Sequence, residues 1–182
     1  MNKRIVSFIL TVAMSICLVT GCTSNKADEF VTLDNVNTSS VNVSEGYFQS
    51  IFTGDVELFE ACYPNSFFYM ESGQERFNPE SLMAQYAASL PVGYRYDGAT
   101  MSAYNEYTED NGYDLPYLME NINVFHMVPE EDIQEAQIVK LRLFFMNDED
   151  KPATIDVYIL VYKANNSWYV FELQNADAEF AA

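Results

Sequence analysis

The sequence predicts an α+β domain in which short helices come first and an antiparallel sheet follows. Three observations carry this. In the first half, large apolar residues recur at helical spacing: Tyr47, Phe48, Ile51 and Phe52, then Leu82, Met83, Tyr86, Ala87 and Leu90. In the last third the period drops to two, with Val139, Leu141, Leu143 and Phe145 on one face of a segment and Ile155, Val157, Ile159 and Val161 on one face of the next. Two polar breaks, Asn147-Asp148-Glu149-Asp150 and Asn165-Asn166, separate three such segments and fold them into consecutive hairpins.

The first helix starts near Val43, with Ser44 as its cap, and stops at Thr53-Gly54-Asp55. Gly54 permits the turn there, and Thr53 or Asp55 caps a second short helix that carries Val56, Phe59 and Ala61 to Tyr63 before Pro64 ends it. Asn78 caps a third helix, Pro79 fits its first position, and Pro91 with Gly93 stops it after Leu90. Tyr94 to Tyr107 alternates weakly and reads as a strand with Met101, Ala103 and Tyr107 on one side. Thr108 to Asp114 is an acidic loop, a short helix is expected around Tyr117 to Ile122, and Pro129 to Asp132 is a turn. Strands follow over Gln134 to Met146, Thr154 to Lys163 and Trp168 to Leu173, and residues 175–182 read as a flexible acidic tail.

Residues 1–21 lie outside this domain. Lys3 and Arg4 precede an uncharged run from Ile5 to Thr20, which is shorter than the roughly 20 residues of a stable membrane span. A basic start, a short apolar stretch and a small-residue end describe a secretory signal peptide. The run closes on Leu18-Val19-Thr20-Gly21-Cys22. These residues resemble the lipobox of bacterial lipoproteins, an aliphatic residue and two small ones before a cysteine. The resemblance implies cleavage after Gly21 and a diacylglyceryl thioether on Cys22, an anchor with the two chains that stable attachment takes. The expected location is the extracytoplasmic face of the cell membrane. Residues 22–42, rich in Ser, Asn and Thr, read as a polar tether, and 43–174 as the single domain.

The leader holds two of the nine Lys and Arg residues and none of the 27 acids, so the remaining chain carries seven cations against 27 acids, a net charge of −20. That balance argues against nucleic acid and anionic headgroups as partners. The chain is nevertheless 49% apolar with 13 Phe and 13 Tyr, enough for one core. Of three cysteines, Cys17 leaves with the leader and Cys22 is committed to lipid, so Cys62 remains as a lone thiol among apolar neighbours. Six tyrosines (Tyr94, Tyr96, Tyr104, Tyr107, Tyr113 and Tyr117) crowd the middle of the chain, where they serve either core packing or the stacking of a glycan or peptide. Glu109 to Asp114 lacks the closing glutamate of a calcium loop, because Leu118 stands where it belongs. No metal or cofactor is expected.

Tyr47-Phe48-Gln49-Ser50-Ile51-Phe52-Thr53-Gly54-Asp55-Val56-Glu57 and Asn165-Asn166-Ser167-Trp168-Tyr169-Val170 resemble the first helix with its Gly-Asp break and the final hairpin of the nuclear transport factor 2-like, or cystatin-like, fold. Over Val43 to Leu173 the chain is similar to small exported lipoproteins of Gram-positive bacteria. The resemblance implies a curved sheet wrapped on helices around a cone-shaped cavity. Such cones host isomerases, dehydratases, binding proteins and dimerisation modules, so fold alone does not name the function. The leading expectation is a non-enzymatic binding domain for a small molecule, glycan or protein at the cell surface. The first alternative is a small-molecule isomerase or hydro-lyase, with Asp156 or His126 as acid or base beside a cavity tyrosine, Tyr158 or Tyr162; Glu172 is a further carboxylate on the late strands. The second is a homodimer formed through an apolar outer sheet face.

Overall fold

The computed structural model describes residues 30–87 and 93–174. Five helices and four strands follow in the order α1 (Ser40–Thr53), α2 (Val56–Ala61), α3 (Asn65–Phe68), α4 (Pro79–Ala87), β1 (Tyr94–Glu106), α5 (Leu115–His126), β2 (Ile133–Asn147), β3 (Pro152–Ala164) and β4 (Ser167–Gln174). The strands form one antiparallel sheet in the order β1-β2-β3-β4. The α+β expectation holds at this level.

Helix starts follow local chemistry. Asp55 accepts from Leu58 N at 3.0 Å and caps α2, and Gly54 takes the left-handed turn before it at φ 75°. Asn78 accepts from Ser81 N at 2.9 Å and caps α4, whose expected continuation to Leu90 lies outside the described residues. The start of α1 differs from the sequence reading. Ser39, not Ser44, is the cap, accepting from Asn42 N at 3.0 Å. Ser44 is buried within the helix and donates back to Ser40 O.

The tether boundary moves with it. Residues 31–39 pack on the helices as a strap, with Val31 and Val36 in the core. Gln49 of α1 grips the strap twice: Val31 N donates to its Oε1 at 2.9 Å, and its Nε2 donates to Val31 O at 2.8 Å. Gly46 makes the close approach possible. A Cβ there would lie 2.9 Å from Val36 Cγ2. Asn37 then ties the strap to two distant elements, donating through Nδ2 to Ala61 O at 2.9 Å and Trp168 O at 2.7 Å.

Each face of the sheet is partly covered. On one face Val139, Leu141, Leu143, Phe145, Ile159, Val161 and Val170 pack against Tyr47, Ile51, Leu58, Phe59 and Phe68 of the helical layer. On the other, Ile138, Leu160, Tyr162 and Ala164 meet Leu118 and Ile122 of α5. Alternation along β2 and β3 makes this two-sided burial possible, because apolar residues occupy both phases over part of each strand. Helix α5 is longer than the sequence reading, since Asp114 accepts from Tyr117 N at 3.1 Å and starts it at Leu115. In β1, a bulge between Met101 and Ala103 corrects the expectation that they share a face with Tyr107. Met101 packs on the first cluster, and Tyr107 joins the second. Asn165 and Asn166 both have positive φ, 51° and 65°, as a tight two-residue hairpin requires.

Candidate functional site

His126 and Tyr162 meet. The His126 Nδ1 lies 2.9 Å from the Tyr162 hydroxyl. The imidazole stands at the seam between the two apolar clusters, with ring contacts to Tyr63 and Phe67 on one side and Tyr162 and Phe171 on the other. His126 ends α5 and its carbonyl accepts from Ser66 Oγ of α3 at 2.6 Å, so two helices fix the ring's position. The pair is closed to solvent, with His126 2% and Tyr162 0% exposed. Burial first, and the Arg76 guanidinium second, lower the His126 pKa to about 3. Burial pushes the Tyr162 hydroxyl well up. At neutral pH both groups are uncharged, and the pair is a satisfied core hydrogen bond closed to solvent.

Asp156 and Tyr158 lie elsewhere. Asp156 is six residues from Tyr162 along β3, about 20 Å at the strand rise. Arg142 of β2 donates to both of its oxygens, at 2.7 and 3.0 Å, and Lys140 Nζ sits 3.4 Å away. The Arg142 bonds hold the Asp156 carboxyl below its usual range, while partial burial opposes them. Lys140 also lies over the Tyr158 ring, 5.3 Å from its centroid, and bonding to Tyr158 is the main cause of its raised pKa. This is a charged lattice on the part of the sheet beyond α5. An ionised carboxylate held by two cations is a poor base.

A carboxyl that sequence reasoning passed over is the more unusual one. Glu45 of α1 lies in a cleft of about 20 Å³ lined by Phe30, Val31, Gln49, Tyr96, Asp97 and Ala99. Such a space holds a water molecule or two, not a metabolite. Burial raises the Glu45 pKa to about 7. Glu45 stands between buried Ser44 and Gly46 on α1, and its cover comes from the strap and β1.

The tyrosine-rich middle divides. Tyr107 and Tyr113 stack on each other at 4.5 Å, and Tyr96 stacks on Phe52 at 5.2 Å. Tyr104 and Tyr117 remain exposed. Among the described residues, three large apolar side chains stand exposed close together in the chain at the end of α5. Val124, Phe125 and Met127 are 60%, 54% and 55% exposed. The segment after α3 brings exposed Phe77 to the same end, 5.1 Å from the Phe67 ring that itself meets His126 at 4.7 Å, and Met70 is exposed in the turn before it. Arg76 joins the two segments, donating to Phe125 O of α5 at 3.5 Å and to Ser66 O of α3 at 2.7 Å, and lying over the Phe77 ring at 5.3 Å. Glu71 and Glu75, before Phe77 in the chain, and Glu130 and Glu131, after Met127, are all exposed.

Cys62 is buried, and its thiol donates to Leu58 O at 3.2 Å. Burial pushes its pKa up, away from nucleophilic thiolate. Among the described residues no three His, Cys, Asp or Glu side chains gather to hold a metal ion, and no helix is long and apolar enough to cross a membrane. Cys22, the leader and the acidic tail lie outside the described residues, as does the side chain of Glu172. Compared with known proteins, the chain matches no family model, no curated protein and no solved structure.

Proposed function

We propose that the chain is a lipid-anchored, extracytoplasmic domain that binds a protein partner by surface contact and does no chemistry of its own. The single observation that carries this is the apolar ridge of exposed Phe77, Val124, Phe125 and Met127 beside Arg76. Exposed aromatic and methionine side chains gathered beside an arginine, with exposed glutamates close by in sequence, have the composition of a protein-binding surface. The ridge favours a protein over a small molecule or glycan because its side chains stand about half exposed at a helix end rather than lining a pocket. We read the helices and sheet as the nuclear transport factor 2-like plan, supported by the Gly54-Asp55 break and the Asn165-Asn166 hairpin at its two ends.

The competing readings fit less well. An isomerase or hydro-lyase needs an open pocket around His126 or Asp156, whereas the first is enclosed by rings and the second is held by Arg142 and Lys140. A dimer through the outer sheet needs an apolar face, and there Lys140, Arg142 and Asp156 stand. The test is photo-crosslinking in the producing cell, with a photoreactive residue at Phe125 and, as control, at exposed Tyr104. A discrete adduct from position 125 alone, weakened by Met127→Ser, is expected. No adduct from 125, or the same adducts from both positions, would contradict the proposal.

A further inference from the structure

We propose that the entry of the fold is a second membrane contact, in which Phe30 and Leu33 rest in an electrically neutral lipid surface beside the acyl chains on Cys22. This rests on the reading of Cys22 as the anchored residue. Length is the first argument. Only residues 23–29 separate Cys22 from Phe30, and eight Cα steps span at most about 28 Å when fully extended. A domain of this size has a radius of gyration of roughly 15 Å, so the fold stays within about one diameter of the bilayer. The strap lends no slack, because Gln49 holds Val31 by two hydrogen bonds and Val36 is fully buried.

Exposure is the second argument. Phe30 is 60% and Leu33 53% exposed, on either side of Val31, which is 7% exposed. The pinned residue faces the core, and its large apolar neighbours face outward at the point where the chain leaves for the anchor. An aromatic and an aliphatic side chain so placed favour the boundary between headgroups and acyl chains. Charge is the third. A net charge of −20 after leader removal, with Asp34 exposed next to Leu33, opposes an anionic surface and leaves neutral lipid as the occupant. The contact also leaves the ridge free, since α5 covers the opposite face of the sheet from α1.

The experiment uses the lipidated protein in phosphatidylcholine vesicles, with a fluorophore on Leu33→Cys or, as control, on Val124→Cys; both positions are exposed and buried Cys62 stays unlabelled. Flotation is read first, then quenching by spin-labelled lipid. Floating protein with at least twofold stronger quenching at 33 than at 124 is the expected result. Floating protein with equal quenching at the two positions overturns the contact while the anchor stands. Protein that does not float overturns the anchor and the contact with it. Replacing half the lipid by phosphatidylglycerol at low salt is expected to weaken quenching at 33, and added salt to restore it. Stronger quenching on anionic lipid would overturn the assignment to a neutral surface.

Discussion

At the scale of single residues, two buried ionisable groups pull stability in opposite directions with pH. The His126 pKa is about 3 in the fold against 6.5 for the free side chain, so below 6.5 the unfolded chain takes up a proton the fold refuses. Stability from His126 is present above 6.5 and lost as pH falls towards 3. Glu45 is the reverse. Its pKa is about 7 against 4.5, so between those values the fold keeps a proton that the unfolded chain has released. Its contribution is present below 4.5 and lost as pH rises through 7. Glu45→Gln removes that loss. Urea unfolding is expected to show the variant gaining about 1–2 kcal/mol on the natural protein between pH 5 and pH 8, after allowance for partial solvent screening. A difference constant with pH would mean that the carboxyl is not shielded. Asp156 and Glu45 show what was legible at this scale. Strand alternation placed Asp156 opposite Ile155 and Val157, and it lies there, tied to Arg142 of the neighbouring strand. The shielding of Glu45 was hidden, because Val31 and Tyr96 reach it from elements distant in sequence.

At the scale of elements, the strap decides how the layers are joined. Its Ser, Asn and Thr composition reads as linker, and only Val31 and Val36 enter the core, too few to make a period. Its attachment comes from polar groups instead. Asn37 satisfies the carbonyls of Ala61, at the end of α2, and Trp168, on β4, and its own carbonyl accepts from Trp168 N at 3.0 Å. Asn37→Ala leaves two part-buried carbonyls without this donor, at a cost of about 2–3 kcal/mol. Faster amide exchange over residues 31–39 should accompany the loss. A cost under about 0.5 kcal/mol, with exchange unchanged, would make the strap an accessory. Strands β2 and β3 were legible because their apolar residues alternate over long runs bounded by turn residues. Helix α5 was only half legible, since its start depends on Asp114, which composition assigned to the acidic loop.

At the scale of the whole molecule, a four-stranded sheet separates a helical layer from α5, and His126 closes the seam between them. The two-sided arrangement could not be read from periodicity. Pattern marks which strand residues are buried, not which helix buries them, and the β1 bulge changes face without a glycine at that point. The same arrangement shapes the functional account. Among the described residues aromatic rings pack between helices and sheet, and the two proposed contact surfaces are exposed apolar groups at the end of α5 and beside Phe30. Both roles presuppose a protein held at a membrane. The most direct test is palmitate labelling of the full chain and of Cys22→Ala in a bacterial host, followed by membrane fractionation. The account predicts labelled, membrane-bound natural protein and an unlabelled variant that leaves the membrane. Label retained in the variant, or absent from the natural protein, would contradict it.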